Sequence, residues 1–185
     1  PCKFFEKNLT KNFSLSLSNP SAGIWASVSQ KTPAPLSAVR VMSCGATRKK
    51  GVLFMEQIKL GIIGVGNMGT THVQNILAGK CPEIALAAVA DRREARRQWA
   101  QGTVPETVQI FEEGSDLIKS GLCEAVLIAV PHYQHPVLAK EAFAQGLHVM
   151  CEKPAGVYTK AVREMNEAAK ESGRVFGMMF NQRTN

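Results

Sequence analysis

The chain has 185 residues, enough for one domain with a sizeable core, and carries a formal net charge of +7. Residues 1–54 account for all of that charge, with eight Lys or Arg against the single acid Glu6; from Met55 onward there are fourteen of each sign. The globular part is therefore neutral, which removes net charge as an argument for a nucleic-acid or membrane partner.

Residues 1–54 show no steady helical or alternating period and are rich in Ser, Asn, Pro and Lys. That composition predicts a disordered or poorly ordered leader. Three origins fit it. It can be translated non-coding sequence upstream of a start at Met55, since the chain begins with Pro1 and Gly51-Val52 can be encoded as a ribosome-binding sequence at the right spacing. It can be an organelle transit peptide, being basic, Ser-rich and poor in acids. It can also be a bacterial tail or linker. No segment is long and apolar enough to span a membrane, so residues 55–185 are expected to form a soluble domain, cytoplasmic unless the leader targets an organelle. Of the five cysteines, Cys2 and Cys44 lie in the leader. Cys81, Cys123 and Cys151 are far apart and lack metal-ligand spacing, so free thiols and no metal site are expected.

The first element of the domain is an apolar strand, Lys59–Ile63, which runs into Gly64-Val65-Gly66-Asn67-Met68-Gly69. A helix-like stretch follows, then a strand at Ile84–Ala90 ending on Asp91. This order is the βαβ fingerprint of a dinucleotide site. Gly64 allows the tight turn out of the strand, Gly66 lets the backbone approach a pyrophosphate, and Gly69 lets the helix pack closely. Unpaired N–H groups at the helix start, Asn67 and Met68 among them, offer a positive dipole end to phosphates. Asp91 can accept hydrogen bonds from a ribose diol.

Farther on, Arg92–Ala100 is helix-prone and Gly102 ends it. Val108–Phe111 reads as a short strand and Glu112–Lys119 as a short helix. Glu124–Val130 is a continuous apolar run that suits a parallel strand buried on both faces. The loop Pro131–His135 leads to Pro136 in a first helical turn, with Gly146 capping the far end. His148–Cys151 is the next strand and closes on Glu152-Lys153-Pro154. In the final helix Ala161, Val162, Met165, Ala168 and Ala169 share one face, Gly173 stops it, and Arg174–Phe180 is a last strand. The alternation predicts an α/β fold, a doubly wound parallel sheet of the Rossmann type. Ligands of such sheets bind beyond the C-terminal strand ends, where Asp91, Pro131–His135, Glu152–Pro154 and Asn181–Arg183 all fall.

The glycine motif with His72, Asp91-Arg92, Val130-Pro131-His132-Tyr133-Gln134-His135 and Cys151-Glu152-Lys153-Pro154 together resemble the Gfo/Idh/MocA oxidoreductases over about Gln57–Asn185. The resemblance implies an N-terminal domain holding NAD or NADP, followed by a second α/β domain that lines the substrate site and mediates homo-oligomerisation. It also implies oxidation or reduction of a carbinol carbon on a sugar, cyclitol or related compound. That second domain is absent, so the chain reads as a fragment not expected to catalyse alone. An NAD-dependent glycoside hydrolase and a non-catalytic dinucleotide sensor are alternatives, because the N-terminal domain would look the same.

Lys153 is the catalytic candidate: the resemblance places it beside the reacting hydroxyl and the nicotinamide, where an amine polarises or shuttles the hydroxyl proton. Glu152 contacts the nicotinamide ribose or fixes its loop, and Pro154 shapes the turn, with a cis bond in relatives. His135 reaches the cofactor or caps its helix. His132 stands where the family more often has Asn and can keep a hydrogen bond to the cofactor. His72 is read as packing or local bonding. Asp91 favours a free 2′-hydroxyl and hence NAD, whereas Arg92 can pair with the 2′-phosphate of NADP; both arginines after Asp91 can equally be a solvated helix start.

Overall fold

The computed structural model describes residues 57–180; the expectations for residues 1–54, Asn181 and Arg183 lie outside them. In chain order the elements are β1 (Ile58–Ile63), α1 (Asn67–Leu77), β2 (Ile84–Ala90), α2 (Glu94–Gln101), β3 (Gln109–Phe111), α3 (Gly114–Lys119), β4 (Ala125–Ile128), α4 (His135–Ala144), β5 (His148–Glu152), α5 (Thr159–Ser172) and β6 (Phe176–Met179). The strands form one sheet in the order β3-β2-β1-β4-β5-β6, and every neighbouring pair is parallel. This is the doubly wound topology, with the reversal of strand order between β1 and β4.

Period-two alternation along the strands divides the core between two faces. Leu60, Ile62, Ala125, Leu127 and Met150 point to one side, where Val73 and Ile76 of α1 and Ala100 of α2 cover them. Ile63, Val126, Ile128, Val149 and Cys151 point to the other, under Leu117 of α3, Ala139 and Phe143 of α4, and Met165 of α5. All four residues of β4 are buried, as its unbroken apolar run requires. Val162, Met165, Ala168 and Ala169 of α5 face the core as their spacing predicts. No helix among the described residues is long and apolar enough to cross a membrane.

Several boundaries differ from those the sequence predicts. Strand β4 starts after Glu124, whose carboxylate accepts a hydrogen bond from the Lys59 amide (2.9 Å). It also stops before Ala129 and Val130, which line a cavity instead. Helix α2 starts at Glu94 because the Asp91 carboxylate accepts the Arg93 amide (2.9 Å) and keeps Arg93 extended. Helix α3 starts at Gly114, so Glu112 and Glu113 precede it.

Among the described residues Cys81, Cys123 and Cys151 are buried. Burial pushes the Cys123 thiol up to about 11. Burial, with the charge of Glu152, pushes that of Cys151 up to about 12. Neither thiol is a nucleophile at neutral pH.

At the opposite end of the sheet from the cavity, the Val175 amide donates to Nδ1 of His148 (3.0 Å). Burial, helped by the charge of Arg174 and opposed by Glu124, holds this imidazole below its usual range. The unfolded chain therefore binds the proton better, so stability rises with pH. The stabilising neutral form is fully present above the unfolded value of 6.5 and is lost as pH falls through the lower folded value. A His148→Asn variant keeps an acceptor near Nδ1 but cannot titrate. Its melting temperature is expected to fall less than that of the wild type between pH 7.5 and pH 5.5, and parallel curves would remove His148 from the pH dependence.

Candidate dinucleotide site

A cavity of about 680 Å³ opens at the C-terminal end of the sheet, over the β1/β4 reversal. Gly64 and Gly66 line it from the loop after β1, Asp91 to Arg93 from the end of β2, and Glu112 to Ser115 from the end of β3. The loop after β4 and the start of α4 close it with Pro131, Tyr133, Gln134 and Val137.

The glycine loop is shaped by close approaches. Gly64 turns with φ +93°, and its amide donates to the Ala90 carbonyl (2.7 Å), locking the loop to the end of β2. A Cβ on Gly69 would run into the Gly64 carbonyl oxygen, so α1 reaches the loop only because that side chain is absent. Gly66 differs: a Cβ there would meet only the Arg93 guanidinium, at 3.5 Å. The protein leaves the space before Gly66 open, as a cradle for a ligand must. Helix α1 has no side-chain cap and no acid in its first turn. The N–H groups of Asn67, Met68 and Gly69 precede the first intrahelical bond, from the Thr70 amide to Gly66 (2.8 Å). Uncapped donors and the positive dipole end suit a pyrophosphate.

Asp91 is fixed from both sides. Its Oδ2 accepts from the Val65 amide (2.9 Å) and its Oδ1 from the Arg93 amide (2.9 Å), with Arg93 Nε at 3.4 Å. The side chain is 7% exposed. An ionised carboxylate has about four acceptor positions and three are taken, so a ribose hydroxyl can still bind. The turn carrying Asp91 is held by Arg97, whose Nη1 donates to the carbonyls of Asp91 (3.0 Å) and Arg92 (2.7 Å). Arg92 itself donates from Nε to Glu113 (2.9 Å).

Gly64, Gly66, Asp91, Arg92 and Pro131 thus share one cavity. Asn67, Met68 and Gly69 stand at its helix end without lining it, and His132 is exposed beside it. His135 and Glu152, read as cofactor contacts or as structural groups, are both engaged within the protein. His135 is 1% exposed, with Nδ1 2.8 Å from the Pro154 carbonyl and Nε2 2.8 Å from that of Val130. Both ring nitrogens are used inside the protein, so His135 bridges the end of β4 to the turn after Lys153 rather than reaching into the cavity. Glu152 is the last residue of β5, paired with Met179, and alternation turns it toward α1. There its Oε1 lies 2.9 Å from Nε2 of His72, each side chain 8% exposed. Lys153 and Pro154 follow in an exposed turn with a cis bond, outside the cavity wall. Among the described residues Lys153 has no hydrogen-bond or ion-pair partner.

Sequence reasoning singles out no role for Glu113, and for Arg93 none beyond a solvated helix start. Both sit in segments that read as polar helix surface, and Glu113 belongs to the cavity only because β3 lies beside β2.

A family model described as "Oxidoreductase family, NAD-binding Rossmann fold" matches residues 58–180. The inositol 2-dehydrogenase of Rubrobacter xylanophilus is 40% identical over 120 residues, 64% of this chain and 33% of that protein. The rhizopine catabolism protein MocA of Rhizobium meliloti is 34% identical over 116 residues, 63% and 35% respectively. Among solved structures, scyllo-inositol dehydrogenase from Lactobacillus casei, with NAD(H) and scyllo-inositol bound, superposes with a TM-score of 0.65 at 29% identity. That superposition covers 70% of this chain and 38% of the other. The chain thus spans about a third of the length of the curated relatives it matches.

Proposed function

Because the chain belongs to the Gfo/Idh/MocA family of NAD-binding oxidoreductases, we propose that it supplies the dinucleotide-binding part of an enzyme moving hydride between NAD and a hydroxyl-bearing carbon of a cyclitol or sugar. The observation that carries this reading is the cavity where three features meet: the open space before Gly66, the uncapped start of α1, and Asp91 held by two backbone amides. When bound, NAD supplies the hydride acceptor.

The chain's own residues bind and orient. The first amides of α1 hold the pyrophosphate, and Asp91 accepts a hydroxyl of the adenosine ribose. Asp91 also repels a 2′-phosphate, which favours NAD over NADP. Lys153, exposed at the end of β5, takes or gives the proton of the reacting hydroxyl at Nζ. Inositol 2-dehydrogenases among the relatives, and the scyllo-inositol bound in a similar structure, support a cyclitol; a D-glucoside 3-dehydrogenase of Escherichia coli keeps sugars in the class.

Calorimetric titration of the chain with NADH and NADPH tests the site. NADH is expected to bind more tightly. Asp91→Ala is expected to weaken NADH binding by about 10- to 100-fold, the scale of hydrogen bonds to a charged acceptor. No binding by a chain that circular dichroism shows to be folded would overturn the dinucleotide reading. In the longer protein, a dehydrogenase accumulates NADH with a cyclitol, whereas release of sugar without net NADH would identify a hydrolase.

A further inference from the structure

Resting on that dinucleotide reading, we propose that Glu113 is a specificity-determining residue, setting the preference for a free 2′-hydroxyl over a 2′-phosphate by occupying Arg92. Arg92 follows Asp91 directly and lines the same cavity, so it is the guanidinium placed to receive a 2′-phosphate. Its Nε instead donates to Glu113 Oε2 at 2.9 Å.

Glu113 occupies the N-cap position of α3, where a short polar side chain would cap the helix, yet it makes no side-chain cap bond. Its carboxylate is committed across the cavity rim to a residue 21 positions away. Gly114 makes this approach possible: a Cβ there would stand 2.6 Å from Ile63 Cγ2, so only a glycine lets α3 begin this close to the end of β1. Arg97 is already occupied by the backbone of the β2 turn and by Glu112. Arg93 lies against Asp91.

The rim thus presents Asp91, Glu112 and Glu113 with each neighbouring guanidinium facing a carboxylate. A ribose hydroxyl donates to Asp91 and needs no contact with Glu113. Glu113 engages only Nε of Arg92, so a dianionic phosphate taken by the remaining guanidinium N–H groups would lie beside the Glu113 carboxylate and be repelled by it.

The Arg92 and Glu113 side chains are 65% and 43% exposed, so their pairing adds little to folding and can be removed without unfolding the chain. ADP-ribose and 2′-phospho-ADP-ribose are the probes, because they differ only in the 2′-phosphate and lack the nicotinamide. The wild-type 185-residue chain, Glu113→Gln, Arg92→Gln and the double variant would be titrated with both. The wild type is expected to favour ADP-ribose. Glu113→Gln should tighten binding of the 2′-phosphorylated ligand about fivefold, the scale of one screened surface pair, and leave ADP-ribose within about twofold. Adding Arg92→Gln should cancel that gain. Equal shifts for both ligands, no shift for either, or a gain that survives in the double variant would each overturn the role of Glu113 while leaving the dinucleotide site standing. Failure of the folded wild type to bind either probe would overturn the site and the proposal together.

Discussion

Gly69→Ala is expected to destabilise the chain by about 2 kcal/mol and to weaken NADH binding by more than about tenfold. Two effects oppose each other at this position. Alanine in place of glycine inside a helix gains up to about 1 kcal/mol of propensity. The new Cβ, however, would coincide with the Gly64 carbonyl oxygen, a backbone atom that no rotamer change can move. Relief requires α1 to slide off the loop or the loop to leave β2, and overpacking of this kind costs about 1–3 kcal/mol, occasionally more. Either shift also moves the first amides of α1 away from the pyrophosphate position. Gly102→Ala is the control: its backbone is ordinary and a Cβ there would find nothing nearer than 3.8 Å. Urea denaturation should separate the two variants clearly. If Gly69→Ala proves as stable as Gly102→Ala and binds NADH normally, the close approach is not what constrains this position.

Within an enzyme of its relatives' length, as proposed above, Lys153→Ala should lower kcat about a thousandfold, within the range for loss of a positioned acid–base group. The same change should leave NADH affinity within about threefold, because Lys153 lies outside the cavity wall. Its effect on stability should be small, since the side chain is exposed and has no partner among the described residues. Lys153→Arg should not restore activity: a guanidinium stays charged at any working pH and cannot take the hydroxyl proton. A kcat within tenfold of wild type for Lys153→Ala would leave the lysine a surface residue of the turn and move the acid–base role elsewhere.

Much of this molecule is legible in the order of its amino acids, and the legible parts share a property. The strands β1, β2 and β4, the apolar face of α5, and the loop from Gly64 to Gly69 are each specified within a short stretch of chain. The glycine loop and Asp91 belong to consecutive elements of one βαβ unit, so their roles depend on geometry that unit carries with it. Their placement in one cavity follows from the doubly wound order, which strand–helix alternation already implies.

What the chain does not show in one dimension is where a polar residue at a strand end points, and with which distant residue it pairs. His135 and Glu152 carry the same chemical promise as Asp91, yet His135 bridges the carbonyls of Val130 and Pro154 and Glu152 meets His72, 80 positions away. One residue of strand register decides this: β5 includes Glu152, so alternation turns it under α1 instead of out into the cavity. Glu113 is the converse case, an apparently ordinary helix-surface acid brought to Arg92 because β3 lies beside β2 and α3 packs tightly on Ile63. Local periodicity and chain-adjacent turns are written into the linear chain, and they specify the sheet, the glycine loop and the acid at the end of β2 that lines the cavity. Which polar groups face the cavity and which brace it from beneath is settled in three dimensions, because that depends on strand register and on contacts between residues far apart in the chain.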